Sequence, residues 1–172
     1  MVILGIGNVL QKDDGFGVYA STYLKKNYTF SKEVEIIHGG VEGINLFSVL
    51  EESDHVLILD AIELEDEPAS IYLIPSYELS GHGLNSGGAH EIGVLQCLDM
   101  LELQGKPQPK ATILGIIPQH VTFEMALSPT LTKAFEGYIN VALNYLKKEG
   151  IEATLNEEVS TLEEILFEVK RL

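Results

Sequence analysis

The sequence predicts an α/β protein in which a twisted, mainly parallel, five-stranded sheet lies between helices on both faces. Short apolar runs alternate with segments of helical periodicity along the chain, a pattern typical of a three-layer αβα arrangement. The length of 172 residues suffices for one domain with its own core,. No stretch reaches the roughly 20 uninterrupted apolar residues of a membrane span, so we expect no membrane insertion.

The first half of the chain supplies four of the predicted strands. The run VILGI forms the first strand, and the apolar residues that follow the next loop repeat at helical spacing,. HVLILDAI is the most apolar run, and it is predicted to be central because parallel strands covered on both faces lack polar positions. Strands are predicted at 2–6, 34–37, 55–62 and 70–74, the last at an edge, with helices at 16–26 and 44–50.

The second half begins with an irregular, glycine-rich loop at 80–90, followed by a helix at 91–103 and the last strand at 111–118,. Ser128 is the predicted N-cap of a long helix, with Pro129 at its first position. That helix is predicted to run to Lys148 and to end before Gly150; Ser160 and Glu163 then show the spacing of a capping box before an amphipathic helix. We predict one α/β domain at 1–150 and, at 151–172, a linker and an appended helix.

The composition of the chain argues against some classes of function. The chain has 11 basic and 26 acidic residues, a formal charge of -15, which argues against nucleic acid because binding there requires neutralised phosphates,. The N-terminus lacks the features of an export signal, so we expect a cytoplasmic protein. The single cysteine, Cys97, lies on the apolar face of a predicted helix, and we expect a buried structural thiol.

The first loop resembles a nucleotide-binding turn but fails its test. A dinucleotide site requires three spaced glycines; here Gly5 and Gly7 are followed by Leu10, and His38 stands where a ribose-binding acid should end the second strand,. The P-loop and the serine-hydrolase elbow are both missing from the sequence. The zinc-protease motif HExxH also fails, because its second histidine is Val94. We therefore expect no organic cofactor.

Three polar residues remain at predicted strand and loop ends. Asp14 follows the first strand, Asp60 ends the central strand, and His90 closes the glycine-rich loop. Loops at the carboxyl ends of parallel strands converge on one crevice, so an exposed set of two carboxylates and an imidazole would suit a divalent ion such as Ni²⁺, Zn²⁺ or Mn²⁺. Each has a structural alternative: Asp13 or Asp14 as a helix cap, Asp60 as a cap or turn residue, and His90 as loop surface.

Five separated blocks then identify a relationship. They are GIGNVLQKDDGFG, GGVEG, LILDAIE, SGGAHEIG, and LGIIPQ with LSPTL. In order and spacing these blocks resemble the nickel-iron hydrogenase maturation endopeptidases. The resemblance implies a twisted, mainly parallel sheet between helices, and removal of a C-terminal peptide from a hydrogenase large-subunit precursor after nickel insertion.

The resemblance also implies site residues. The metal-contacting positions of that family fall on Asp14, Asp60 and His90, which would also serve catalysis, and the nickel would arrive within the substrate. His38, Gly39 and Gly40 would contact the substrate, although the family commonly has an aspartate where His38 stands. An equally weighted alternative is that these glycines only form a tight turn.

No motif indicates a covalent nucleophile. The rival hypothesis is a non-catalytic nickel escort protein, and the sequence specifies no oligomeric state.

Overall fold

A computed structural model describes residues 1–40, 46–78 and 89–171, the last range without the side chains of residues 89–92. The predicted loop at 80–90 lies almost wholly outside these ranges, as do the first two residues of the helix predicted at 44–50. The strands are β1 Val2–Ile6, β2 Tyr28–Phe30, β3 Glu35–Gly40, β4 His55–Ala61, β5 Ile71–Pro75, β6 Lys110–Ile116 and β7 Ala153–Leu155; the helices are α1 Phe16–Asn27, α2 Phe47–Glu52, α3 Ala89–Leu103, α4 Pro129–Lys148 and α5 Leu162–Val169.

The main sheet has the order β3-β1-β4-β6-β5. The first four of these strands are parallel, and β5 pairs antiparallel with β6 at the edge. The predicted five-stranded, mainly parallel sheet is therefore confirmed, with the most apolar strand at its centre. Alternating residues of β4 face opposite layers, because Leu57 belongs to one apolar cluster and Ile58 to the other,.

Helices cover both faces of this sheet. Helices α1, α4 and α5 pack on one face, whereas α2 and α3 pack on the other. Cys97 of α3 is fully buried, as predicted, and burial raises the pKa of its thiol. Among the described helices, none combines the length and hydropathy that a membrane crossing requires.

Helix α1 approaches the sheet closely at Gly17. A Cβ atom at this position would lie 2.0 Å from the carbonyl oxygen of Leu59 and 2.4 Å from that of Ile6. Both obstacles are backbone atoms, which cannot move aside as a flexible side chain can. The glycine therefore sets how closely α1, and the loop that precedes it, approach the carboxyl end of β4.

The C-terminal segment contains structure that the sequence patterns do not predict. Strand β7 lies within the expected linker and pairs antiparallel with β2. The capping box of α5 is formed by Thr161 and Glu164, so the prediction of Ser160 and Glu163 is wrong by one residue. Ile165 of α5 is fully buried. The division of the chain at residue 150 stays a prediction.

Candidate active site

The carboxyl ends of the four parallel strands meet at one edge of the sheet, here called the carboxyl edge. Gly5 of β1 lies opposite Leu59 on one side and His38 on the other. A short 3₁₀ helix, Lys12–Gly15, follows β1 and contacts β4. The polar loop after β1 is thus positioned between the ends of β3 and β4, as expected for a crevice at the end of a parallel sheet.

Asp60 lies at this edge as a buried carboxylate. Its side chain is 1% exposed, and its Oδ1 atom accepts a hydrogen bond of 2.9 Å from the Ala61 N–H. The hydroxyl of Tyr138 lies nearby and donates to the Leu114 carbonyl at 2.5 Å. Burial and the negative charge of Asp60 raise the pKa of Tyr138 well above its ordinary value. The expected exposure was therefore wrong for Asp60, which is buried near the end of the central strand.

Asp14 occupies the 3₁₀ helix and is half-buried. Its Oδ2 atom accepts a hydrogen bond of 2.8 Å from the Asn8 N–H, which orients the carboxylate within the loop. Gly7 makes this conformation feasible: its φ is 124°, and a Cβ atom there would lie 1.8 Å from the Asp14 carbonyl oxygen,. Gly7 therefore lets the loop after β1 pack closely against the 3₁₀ helix that carries Asp14.

Asp13 has a different role, which its residue type and position in the sequence do not indicate. This residue is fully buried, and its two carboxylate oxygens accept hydrogen bonds from the N–H groups of Gln119, His120 and Ser128, at 3.0, 2.9 and 2.6 Å. The N-cap of α1 is Gly15, so the helix-cap alternative for Asp13 is wrong. Asp13 instead joins the loop after β1 to the loop after β6. The only sequence signal was two adjacent aspartates, which does not separate their roles.

His90 is the second residue of α3, so the helix begins before it and not after it as predicted. After α3 the chain continues to β6, which begins at Lys110, at the end of the sheet opposite to the carboxyl edge. The His90 side chain lies outside the described part of the structure. Within the described part, no group of three or more His, Cys, Asp and Glu side chains could hold a metal ion. The ligand set of Asp14, Asp60 and His90 therefore stays a prediction.

The residues predicted to contact substrate end β3. Nδ1 of His38 lies 3.1 Å from Oγ of Ser21, a buried serine of α1, so the ring is partly buried although the residue as a whole is exposed. Gly40 has φ of 52°, and its carbonyl accepts from the Gly7 N–H at 3.0 Å. A Cβ atom on Gly39 would lie 2.6 Å from the end of the Ile6 side chain. The glycines thus serve packing and the turn, and their substrate contact stays a prediction.

We expect His38 to titrate below the usual histidine value of 6.5, because partial burial and then the charge of Lys25 lower its pKa. As the pH falls, His38 is therefore protonated at a higher pH in the unfolded chain than in the folded protein. The contribution of His38 to stability is therefore complete above pH 6.5 and is lost as the pH falls through the folded-state pKa,. An NMR titration of the ring checks this. Lys25→Ala should raise the pKa and Lys26→Ala should leave it unchanged; a pKa of 6.5 or above in the unaltered protein would contradict the expectation.

The fold and the polar residues at the carboxyl edge are typical of an α/β enzyme. An open, mainly parallel α/β sheet presents two carboxylates at its carboxyl edge, the region where enzymes of this architecture bind their ligands,. Comparison with known proteins makes the class specific. The family model HycI, hydrogenase maturation protease, matches residues 18–145, which is most of the chain.

Similar proteins agree with this match. The hydrogenase 2 maturation protease of Escherichia coli is 29% identical over 160 residues, which cover 92% of this chain and 98% of that protein. The hydrogenase expression/formation protein HupD of Rhizobium leguminosarum bv. viciae is 27% identical, over 96% of this chain and 83% of its own. The solved structure of the hydrogenase maturating endopeptidase HybD from E. coli superposes with a TM-score of 0.83 and 28% identity, covering 90% of this chain and 96% of HybD.

The chain therefore belongs to the hydrogenase maturation protease family, and it is a peptide hydrolase. The resemblance drawn from the five sequence blocks is confirmed. The shared fold also agrees with the predicted layers, since both chains are aligned over nearly their whole length.

Proposed function

We propose that this protein removes the C-terminal peptide of a nickel-iron hydrogenase large-subunit precursor after nickel has been inserted. Asp14, Asp60 and His90 would recognise the metal, which arrives as part of the substrate. The observation that carries the proposal is the buried Asp60 carboxylate at the carboxyl edge, beside the loop that holds Asp14.

The donor chemistry supports the proposal. Two carboxylates and one imidazole suit a divalent ion of intermediate softness and leave coordination positions for the substrate. Asp60 lies in a low-dielectric environment, where its interaction with a cation is stronger than in water,. Only a metal-loaded precursor would bring its scissile peptide bond to these carboxylates, which would restrict cleavage to one bond.

Two chemical routes fit this arrangement. The ion could polarise the scissile carbonyl, or it could lower the pKa of a bound water. In either case Asp14 or Asp60 would act as the base that receives a proton from the attacking water. The imidazole of His38, together with Gly39 and Gly40, would contact the substrate chain at the end of β3.

The expected result is loss of a C-terminal peptide from the nickel-loaded precursor alone. Intact mass spectrometry of the precursor, with and without nickel, after incubation with this protein checks it. Cleavage of both forms would contradict recognition of the metal but not proteolysis. An unchanged mass for both forms, combined with tight nickel binding by the isolated protein, would favour the nickel escort hypothesis instead.

A further inference from the structure

Three large apolar side chains at the carboxyl edge are exposed to solvent. Leu10 follows β1, whereas Val121 and Phe123 follow β6; their exposures are 44%, 45% and 85%. These three residues are called the apolar rim below. An exposed phenylalanine contributes nothing to the core, so its place beside the candidate active site calls for an explanation based on binding.

The backbone of the rim is held in place by hydrogen bonds between the two loops. The Lys12 N–H donates to the Glu124 carbonyl at 2.7 Å, and the Glu124 N–H donates to the Leu10 carbonyl at 3.0 Å. Their side chains form an ion pair at 2.8 Å. The buried Asp13 carboxylate anchors the same loop through Gln119 and His120 N–H groups. Because the backbone is already ordered, contact with a partner would cost little additional entropy.

The rim is also continuous with the carboxylate site. The Leu10 N–H donates to Oδ1 of Asn8 at 3.0 Å, and the Asn8 N–H donates to Oδ2 of Asp14 at 2.8 Å. Two hydrogen bonds therefore connect the backbone of Leu10, through Asn8, to the Asp14 carboxylate of the site. A polypeptide whose scissile bond lies at Asp14 would run next to Leu10.

Charge limits the identity of the partner. The formal charge of -15 opposes both docking on an anionic lipid surface and close association of two copies of this chain,. We infer that the apolar rim is the docking surface for the substrate protein, which would place an apolar segment on Phe123 and Val121 while its C-terminal peptide reaches Asp14. This inference rests on the function proposed above.

The decisive variants are Phe123→Ser and Leu103→Ser. Both side chains are almost fully exposed, at 85% and 86%, but Leu103 lies at the end of α3, away from the rim. Phe123→Ser should raise the KM for the nickel-loaded precursor about tenfold or more with little change in kcat, as expected from losing a buried aromatic contact. Leu103→Ser should change neither constant, and Val121→Ser should act in the direction of Phe123→Ser.

Direct binding of the precursor separates this inference from the proposed function. If the unaltered protein binds the precursor without cleaving it, and Phe123→Ser weakens that binding, the docking surface is supported while the proposed function fails. Equal KM and Kd values for Phe123→Ser and Leu103→Ser would overturn the docking surface. It would also be overturned if sedimentation showed a dimer, or if flotation showed binding to anionic vesicles, that only Phe123→Ser abolished.

Discussion

Asp60→Asn is expected to abolish processing of the nickel-loaded precursor while leaving the fold intact. The asparagine keeps the size of the side chain and an oxygen that can accept from the Ala61 N–H. It removes the negative charge, and with it both metal attraction and the capacity to act as a base. Loss of a positioned base alone lowers rates by roughly 10² to 10⁴. The measurement is the initial rate of peptide release, followed by intact mass.

Matched variants distinguish a role in the site from a role in the fold. Asp14→Asn and His90→Ala should also abolish release, whereas Asp54→Asn, at an exposed position outside the site, should retain it. Thermal unfolding of each variant is the control. If all three site variants lost cooperative unfolding, the residues would be structural, and the proposed site would be wrong.

Asp13→Ala is expected to reduce the free energy of unfolding by about 3 kcal/mol or more, since each orphaned buried donor costs roughly 1 to 3 kcal/mol. Three backbone N–H groups, of Gln119, His120 and Ser128, would lose their acceptor. Urea unfolding followed by circular dichroism measures the change. The loop after β6 should lose its protection from hydrogen exchange first, because it is the segment that Asp13 anchors.

Two comparisons test the cause of this destabilisation. Asp13→Asn, which retains one carbonyl oxygen, should fall between the unaltered protein and Asp13→Ala. Asp54→Ala removes an exposed carboxylate and should change the free energy of unfolding by no more than about 0.5 kcal/mol,. Equal stability of Asp13→Ala and the unaltered protein would show that the three hydrogen bonds contribute nothing to the fold.

The strands of the main sheet, with its central strand and one edge strand, could be predicted because their signals are local. Strand β4 is an unbroken apolar run, and α4 begins at Ser128, whose hydroxyl accepts from the Leu131 N–H as the predicted N-cap should,. The prediction of an edge strand at 70–74 followed from the polar residues around it and is confirmed by β5. Each of these signals lies within a few neighbouring residues, so a short window of sequence reveals it.

Structural features that depend on residues distant in sequence were not predicted. Strands β2 and β7 have three residues each and pair across more than 120 positions of sequence. Such short segments carry too few residues for a periodic signal. The predicted capping box was one residue too early because Ser160 is, by residue type, as good an N-cap as Thr161,. Its neighbours explain the choice: the Ser160 N–H and carbonyl bond to the side chain of Asn27.

The sequence by itself determined the layers, the central strand and the family, since apolar periodicity and ordered motifs are properties of the chain alone. Only the tertiary structure decided which of two adjacent aspartates is structural. Asp13 meets three N–H groups more than 100 positions away, and Asp14 meets Asn8 within its own loop. The burial of Asp60 was likewise decided by packing around the end of β4, which the residue type and its place in the sequence do not show. Residue type limits the chemistry that is available to a side chain. Contacts with residues distant in sequence then determine which role the side chain has in the folded protein.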